Sequence, residues 1–218
     1  MHMVRLWAQY LPQMLKGVGI TLELTGASLG VAIIFGFILA IARLSKIRLM
    51  EIIARWYIEI VRAIPVLVIL FIAYYSLGQI GIKLSGMTAA IVSLGAFYAT
   101  QFGEIFRGAI LGVDRGQKEA AAALGMPGGL MMRKVILPQA FFSILPPATN
   151  QLSNLIKDTS LVFTIGVADL MFQAYAAAST TFLPLDMLTL AGIIYFVFYI
   201  IISKFLARWE LNVQQRRS

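Results

Sequence analysis

Residues 24–42 read LTGASLGVAIIFGFILAIA, contain no charged side chain and end at Arg43. A spanning helix rises about 1.5 Å per residue and crosses roughly 30 Å of hydrocarbon, so about 20 apolar residues suffice. Four further segments qualify: 63–82 between Arg62 and Lys83, 84–103 before Glu104, one that begins near Ala140 and contains Pro146-Pro147, and 187–203. We therefore predict an all-α integral membrane protein of about five transmembrane helices in one domain, 1–218, with spans at approximately 18–43, 60–82, 84–105, 140–160 and 184–207.

Composition supports this fold class and excludes several functions. Hydrophobic residues make up 60% of the chain, charged residues only 13%, and mean hydropathy is +0.84, whereas about a quarter of a soluble domain is charged. The net charge of +8 does not indicate nucleic acid binding, because the basic residues lie between apolar runs. With no Cys and a single His2, the chain lacks the side chains for a typical zinc site or a catalytic triad. This argues against a membrane enzyme, and no metal site is expected.

The distribution of Lys and Arg predicts the orientation. Five basic residues lie in 43–62, five in 104–138, and four in the C-terminal tail, where Arg216 and Arg217 are counted. Only four lie elsewhere. Because cytoplasmic segments carry the excess of positive charge, we expect the 104–138 segment and the C-terminus in the cytoplasm and the N-terminus outside. The first helix is interpreted as retained, since its apolar core is longer than that of a signal peptide.

The segment 106–138 has a helical pattern of its own. Phe106, Ile110, Val113, Ala120 and Leu124 recur at helical intervals and predict one apolar face. The pairs Asp114–Lys118 and Arg115–Glu119 have the spacing of intrahelical ion pairs. Gly125 followed by Pro127 predicts a helix end, and a second short helix at about 129–135 leads to Pro138. The pattern predicts a helix–turn–helix outside the membrane; an amphipathic connector on the lipid surface is equally compatible with it.

Several motifs are shared with a known family. Glu119-Ala120-Ala121, Gly125 and Val135-Ile136-Leu137-Pro138 resemble the EAA loop of the membrane subunits of ABC importers, with Val135 where the family usually has Ile. Further matching blocks are Arg62-Ala63-Ile64-Pro65, Glu104-Ile105-Phe106-Arg107-Gly108, Leu137-Pro138-Gln139-Ala140, Pro146-Pro147, Asn150 and Lys157-Asp158-Thr159-Ser160-Leu161. Over nearly its whole length, the chain resembles the polar-amino-acid branch of these permeases.

The resemblance implies a type I ABC importer permease fold with a cytoplasmic coupling loop at about 106–138. It implies a complex with a second permease subunit, as homodimer or heterodimer, two ATP-binding subunits and an extracytoplasmic amino-acid-binding protein, in a bacterial cytoplasmic (inner) membrane. The chain has no Gly-x-x-x-x-Gly-Lys-Ser/Thr phosphate loop. We therefore expect no enzymatic activity and no cofactor in this chain, with ATP and Mg bound by the partner subunit.

The coupling residues are expected around the Glu-Ala-Ala motif. Within the junction with the ATPase, Glu119 is expected to bond or cap, Ala120 and Ala121 to keep the helix thin, and Gly125 to make the turn beside Leu124. Supporting structural roles are expected for five further residues: Arg62, Pro65, Glu104 paired with Arg107, and Pro138.

A polar stripe in the fourth span is the candidate substrate path. Asn150, Asn154, Lys157 and Asp158 share one helix face, and together they could meet both ends of an amino-acid zwitterion. Thr159 and Ser160, which follow directly, are included in the candidate path. In the alternative interpretation, the asparagines join helices, Lys157 and Asp158 form a structural pair near the outer interface, and Thr159 and Ser160 cap a helix break. Residues 159–184 are predicted to be a short outer-surface or re-entrant segment.

The substrate is less well specified by the sequence. Segments 158–162 and 167–170 favour glutamate, aspartate or glutamine. The alternative function is a stand-alone secondary transporter of small polar solutes. Such transporters often contain inverted repeats, and this sequence has no obvious internal repeat.

Overall fold

The computed structural model describes residues 2–215, so Met1 and residues 216–218, including Arg216 and Arg217 of the predicted cytoplasmic tail, lie outside the described residues. Within that range the fold is helical. The helices are α1 His2–Leu44, α2 Arg48–Ala63, α3 Val66–Phe71, α4 Leu77–Gln79, α5 Gly86–Leu111, α6 Arg115–Ala123, α7 Gly128–Met131, α8 Leu137–Asp158, α9 Leu170–Thr181 and α10 Pro184–Gln215. Wide π turns at Ile72–Ser76 and Met132–Ile136 join α3 to α4 and α7 to α8, and a 3₁₀ helix, Thr159–Ile165, follows α8.

The spans are of two kinds. Three continuous helical segments are long and apolar enough to cross a membrane: Arg5–Leu44, Gly86–Leu111 and Pro184–Phe205. Two bent pairs meet the same criteria, Arg48–Ala63 with Val66–Gln79 at 102° and Gly128–Ile165 with Leu170–Thr181 at 49°. If each bent pair is one span, the described chain has five, the number expected from the sequence.

The predicted second span differs most from the structure. The predicted span began at about residue 60, whereas α2 starts at Arg48 and the helix breaks at Ile64, whose backbone is extended (φ −95°, ψ 131°). Pro65 disfavours the helical conformation of the residue before it, which accounts for the break. The prediction missed α2 because a charge recurs every three or four residues, at Arg48, Glu51, Arg55, Glu59 and Arg62, and interrupts the apolar run.

Helices α1 and α5 form the centre of the fold through close contact of small residues. A Cβ atom on Gly36 would lie 2.9 Å from Phe102 Cβ and 3.0 Å from the Ala99 carbonyl oxygen. One on Gly95 would lie 2.5 Å from a Val31 side-chain carbon. Small residues let membrane helices approach closely and gain van der Waals contact. Around this contact a core forms that includes Leu24, Leu70, Leu94, Tyr98, Phe102 and Leu155.

The segment 159–184 packs between α1 and α10. A Cβ on Gly17 of α1 would lie 2.8 Å from the backbone of Asp169 and Leu170, and Leu170 N donates to Thr21 Oγ1 at 3.3 Å. Asp169 is fully buried, caps α9 by accepting from Phe172 N at 2.9 Å, and accepts from the Tyr195 hydroxyl at 3.3 Å. The segment is therefore a packed helical continuation of α8 after the bend. Its placement at the outer surface or as a re-entrant segment stays a prediction.

The predicted coupling loop, residues 106–138, contains the helices α6 and α7, but the predicted common apolar face of 106–124 is wrong. Helix α5 ends at Leu111, and Asp114 starts α6 by accepting a hydrogen bond from Gly116 N at 2.7 Å. Phe106 consequently packs on Phe37 and Phe102, while Leu124 lies on a different helix. The predicted Asp114–Lys118 pair does not form, since Lys118 Nζ donates instead to the Ile110 and Leu111 carbonyls.

Candidate functional site

Helix α6 ends in a sharply defined turn at Gly125. Gly125 has a φ of +70°, its N–H donates to the Ala122 carbonyl at 2.9 Å, and Met126 N donates to the Ala121 carbonyl at 3.1 Å. This pair of bonds is the Schellman motif, which needs a left-handed residue and therefore favours glycine. The structure thus confirms the predicted helix end and gives its cause.

The predicted coupling residues divide into one buried and four exposed positions. Ala121 is buried, whereas Glu119, Ala120, Leu124 and Gly125 are exposed. Leu124 is 81% exposed, high for a large apolar side chain at the end of a polar helix. The Glu119 carboxylate accepts from Arg115 Nε at 2.9 Å, which confirms the predicted intrahelical pair. The end of α6 therefore presents a small apolar tip.

Hydrogen bonds connect α6 to α5 and α8. Lys118 bonds to carbonyls at the end of α5, and Gln139 Nε2 of α8 donates to Gln117 Oε1 at 3.2 Å. Beneath these bonds lies an apolar cluster formed by Ala109, Ile110, Val113, Ile136 and Ala140. A displacement of α6 would therefore move the ends of both spans.

Pro138 lies in the first turn of α8 and is exposed. The chain is helical from Gly128 to Asp158, with the π turn Met132–Ile136 immediately before Leu137. Proline has no N–H and crowds the preceding turn, and a wide π turn is one way in which a helix accommodates such a disturbance. The predicted second short helix is thus the start of the fourth span.

An ion cluster ties three helices together near the loop. Arg107 donates two hydrogen bonds to Glu104 Oε2, at 3.0 and 2.8 Å, which confirms the predicted pair. Arg43 of α1 bonds to Glu51 of α2, and its Nε lies 3.5 Å from Glu104 Oε1 of α5. Sequence reasoning missed the role of Arg43, which had been counted only as a topology signal.

A polar cleft opens beside this cluster. It has a volume of about 500 Å³ and lies between the end of α2, the C-terminal half of α5, and α8. Arg62, Gln101, Glu104, Ser143 and Gln151 supply its polar lining. Arg62 and Glu104, predicted as structural supports, therefore both line the cleft, whereas exposed Pro65 precedes the first residue of α3.

The side chain of Asp158 contacts the middle of the third span, helix α5. Tyr98, counted from Gly86, is residue 13 of the 26 in α5 and is 1% exposed. Its hydroxyl donates to Asp158 Oδ2 at 2.7 Å. No ion pair joins Lys157 and Asp158 within the described residues, and Asp158 turns toward α5.

The rest of the stripe points elsewhere. Asn150, Asn154 and Lys157 are exposed, and Lys157 lines a cleft of about 240 Å³ with Tyr195, Phe196 and Tyr199 of α10. The helix break lies at Thr159, whose hydroxyl donates back to the Ile156 carbonyl at 2.7 Å, while Ser160 is half-buried. One side of α8 thus carries exposed amide and ammonium groups beside a half-buried carboxylate.

Sequence comparison identifies the family. The family described as "Binding-protein-dependent transport system inner membrane component" matches residues 32–211. The chain belongs to this family. Its relatives include the arginine transport system permease protein ArtQ of Bacillus subtilis, 38% identical over 194 residues that cover 88% of this chain and 89% of ArtQ. A putative glutamine transport system permease protein GlnP of Rickettsia bellii is 34% identical, with 88% of each chain covered.

Solved structures show the same architecture. A crystal structure of an amino acid ABC transporter with histidines matches with a TM-score of 0.90 at 35% identity, covering 94% of this chain and 96% of that one. The MetNI methionine ABC transporter in inward-facing form matches with a TM-score of 0.77 at 23% identity, which shows the fold alone. The chain is therefore an inner-membrane permease of the amino-acid ABC transporter type, with the type I importer fold.

Tyr98 is a residue of this permease that sequence reasoning missed. The sequence motifs assign it no role, yet it is the hydrogen-bond partner of the candidate substrate-path carboxylate. The available signal was a polar aromatic side chain in the middle of an uncharged span. A buried tyrosine hydroxyl usually requires a hydrogen-bond partner. The chain has only 10 Asp and Glu residues, so few carboxylates could accept that bond.

Proposed function

We propose that this permease carries a polar amino acid inward by alternating access and is driven by ATP hydrolysis on other chains. Two permease subunits, identical or sister chains, pair with two ATP-binding subunits that hold ATP and Mg. An extracytoplasmic binding protein delivers the substrate. In this orientation, the N-terminus is outside, while the segment 106–138 and the C-terminus are cytoplasmic, as the Lys and Arg distribution indicates.

The tip of α6 carries the proposal. Leu124 is 81% exposed beside the left-handed turn at Gly125, so its side chain can insert into an apolar pocket of a partner. Ala120 and Ala123 are also exposed and small, so a groove can close around the helix. We infer that Leu124, Gly125 and the Glu119–Ala121 segment form the contact with the ATP-binding subunit.

The bracing of α6 supports its role in force transmission. Lys118 and Gln117 connect it to α5 and α8, and these are the two spans that hold Tyr98 and Asp158. Tilting α6 would move both spans at their cytoplasmic ends. Because packed cores deform by discrete shifts, we infer that such a tilt switches access from one side of the membrane to the other.

The substrate path is inferred to run along the exposed side of α8. Ionisable side chains at membrane depth face a cavity or a partner, and transporter sites often form where a spanning helix is discontinuous. Asp158 lies at such a break, followed by the 3₁₀ helix Thr159–Ile165. Asp158 could meet the substrate ammonium group, and Lys157, Asn150 and Asn154 could meet its carboxylate or side chain.

The substrate class is a polar amino acid. The sequence favours glutamate, aspartate or glutamine, and this preference stays a prediction. Relatives are named for transport of arginine, glutamine and nopaline, so a binding panel should include acidic, amide and basic amino acids.

Site-directed cross-linking tests the proposal, because the chain has no Cys and single-cysteine variants carry one thiol each. Leu124→Cys is expected to cross-link to the ATP-binding subunit in purified complex. Ile80 directly follows α4 and is 72% exposed. Ile80→Cys is therefore the matched control and should not cross-link to the ATP-binding subunit. Uptake into vesicles should require ATP.

Two results would overturn the proposal. One is uptake by this chain alone driven by an ion gradient, which would indicate a secondary transporter. The other is a stable complex with the ATP-binding subunit in which Leu124→Cys remains uncross-linked while Ile80→Cys reacts.

A further inference from the structure

The polar cleft beside the Arg43–Glu104 ion cluster holds several side chains that have no partner. Its volume of about 500 Å³ falls within the range of roughly 300–1,000 Å³ that is typical of ligand pockets. Four of its lining side chains make no hydrogen bond and no ion pair within the described residues: Arg62, Gln101, Ser143 and Gln151. They present a guanidinium, two carboxamides and a hydroxyl to one space. Polar groups on membrane-spanning helices are costly unless they are satisfied, so the cleft requires water or a polar ligand.

The rest of the lining is small. It consists of Glu104 and five less polar residues: Ile105, Gly108, Ala109, Gly112 and Pro147. A Cβ atom on Gly108 would meet nothing within 4 Å, so the α5 wall of the cleft is open there. Of these five residues, only Ile105 offers a large aliphatic side chain, which is too little to hold an acyl chain. The lining therefore suits a small polar molecule rather than a lipid.

The cleft offers positive charge to a ligand. Glu104 is the one carboxylate among its lining residues, and it already accepts hydrogen bonds from Arg107 and lies 3.5 Å from Arg43 Nε. Arg62 forms no ion pair with any described carboxylate. The cleft thus has a guanidinium for an anion and no unpaired carboxylate for a cation. This pattern favours a ligand with a carboxylate and disfavours one with an additional positive charge.

The cleft lies next to the candidate substrate path. Gln101 follows Tyr98 by about one turn of α5. Gln151 precedes Asp158 by seven residues, which is about two turns, or roughly 10 Å, along the same side of α8. Tyr98 and Asp158 are hydrogen-bonded to each other. The cleft therefore continues the path from this bond toward the ends of α5 and α8 that α6 contacts.

We propose that this cleft binds the amino acid on the cytoplasmic side of the Tyr98–Asp158 bond and selects amide and acidic amino acids over basic ones. The Arg62 guanidinium binds the α-carboxylate. Gln101, Ser143 and Gln151 hydrogen-bond the rest of the molecule, since carboxamides and hydroxyls both donate and accept. A basic side chain finds no unpaired carboxylate here. The site rests on the proposed function, which supplies the orientation and the general class of substrate.

Equilibrium binding to the purified permease tests the site, with the ATP-binding subunits that co-purify and without the extracytoplasmic binding protein. The ligands are radiolabelled L-glutamine, L-glutamate and L-arginine, and L-glutaminamide, which lacks the α-carboxylate, is the competitor. Wild type is expected to bind glutamine and glutamate roughly 10-fold more tightly than arginine. It should prefer glutamine to glutaminamide by roughly 10- to 100-fold, the ratio expected for a hydrogen-bonded charged pair.

Substitutions separate ligand contact from a structural role. Arg62→Gln should weaken glutamine binding roughly 10- to 100-fold and abolish the preference over glutaminamide. Arg62→Lys should retain part of that preference, because it keeps the charge but not the planar fork. Gly108→Leu fills the open wall and should prevent binding. Arg48→Gln removes an exposed cation at the other end of α2, and Gly192→Leu fills an equally open position on α10; both should bind glutamine as wild type does.

Three results would overturn the proposal. They are the absence of saturable glutamine or glutamate binding to the wild-type complex, tighter binding of arginine, and an Arg62→Gln complex that prefers glutamine to glutaminamide as wild type does. None of these measurements depends on uptake or on cross-linking at Leu124. ATP-dependent uptake together with an unchanged Arg62→Gln affinity would reject this cleft alone, whereas uptake driven by an ion gradient would reject the proposed function.

Discussion

Tyr98 in the middle of α5 donates a 2.7 Å hydrogen bond to Asp158 at the last residue of α8. The bond links the continuous span of the core to the broken span of the candidate substrate path. It directs the Asp158 side chain toward α5, whereas the side chain of the neighbouring Lys157 lies beside α10. The carboxylate thus has a fixed position, whereas the ammonium group is exposed.

Replacing Tyr98 with Phe tests this link. The ring still fills its buried position, but the half-buried Asp158 loses a donor. Hydrogen bonds to charged groups contribute about 1.5–3 kcal/mol, so a similar decrease in the free energy of unfolding is expected, with slower uptake. Tyr75→Phe is the control, because Tyr75 is 52% exposed and its ring packs against Phe71 and Tyr74. Thermal unfolding and initial uptake rates measure both effects, and a Tyr98→Phe protein equal to wild type in both contradicts the link.

Substitutions at Gly125 distinguish backbone strain from partner contact. A Cβ at Gly125 meets no atom of this chain within 4 Å, so only its φ of +70° opposes a side chain. Left-handed backbone costs a non-glycine residue about 1–2 kcal/mol, and asparagine tolerates it best. Gly125→Asn should therefore retain most uptake. Gly125→Trp should insert normally but abolish uptake and uncouple ATP hydrolysis, because its bulk meets the partner. Normal uptake by Gly125→Trp would remove the basis for the coupling role.

The spans show what the sequence can predict. Runs 84–105, 140–160 and 184–207 overlap α5, α8 and the membrane part of α10, with ends that differ by up to six residues, because uninterrupted apolar length is a direct physical requirement of the bilayer. Helix α2 escaped detection because its charges recur at helical spacing and break the apolar run. The Gly125 turn was predictable because its cause is local.

The candidate site was harder to predict. Asp158 and Tyr98 are 60 residues apart in the chain, and no periodicity determines which face of α8 meets α5. The same holds for Arg43, whose two carboxylate partners come from α2 and α5. Contacts of this kind depend on how helices cross, and the crossing is set by small residues whose packing partners a single sequence does not reveal.

Gly36 is one such residue and gives a direct test of the α1–α5 contact. Gly36→Ala places a methyl group 2.9 Å from Phe102 Cβ, so the helices must separate. Overpacking typically costs about 1–3 kcal/mol, and a lower yield of monodisperse protein is expected. Gly30→Ala on the same helix meets nothing within 4 Å and serves as the control. Because alanine favours helix over glycine by up to about 1 kcal/mol, Gly30→Ala should be neutral or stabilising. Equal yields from both variants in size-exclusion chromatography would contradict this packing.

Glu104 tests whether the ion cluster stabilises the junction of α1, α2 and α5. Its carboxylate is 25% exposed and interacts with both Arg107 and Arg43. Glu104→Gln leaves two neighbouring guanidinium groups without their shared anion, and losing a partly buried charged partner costs about 1–3 kcal/mol. Glu59→Gln is the matched control, since its pair with Arg55 is more than half exposed on both sides. Exposed pairs contribute about 0–1 kcal/mol, so the thermal midpoint should fall clearly for Glu104→Gln and little for Glu59→Gln. If the two variants unfold at the same temperature, the cluster adds no more stability than a surface pair, and the α1–α5 core alone holds the junction.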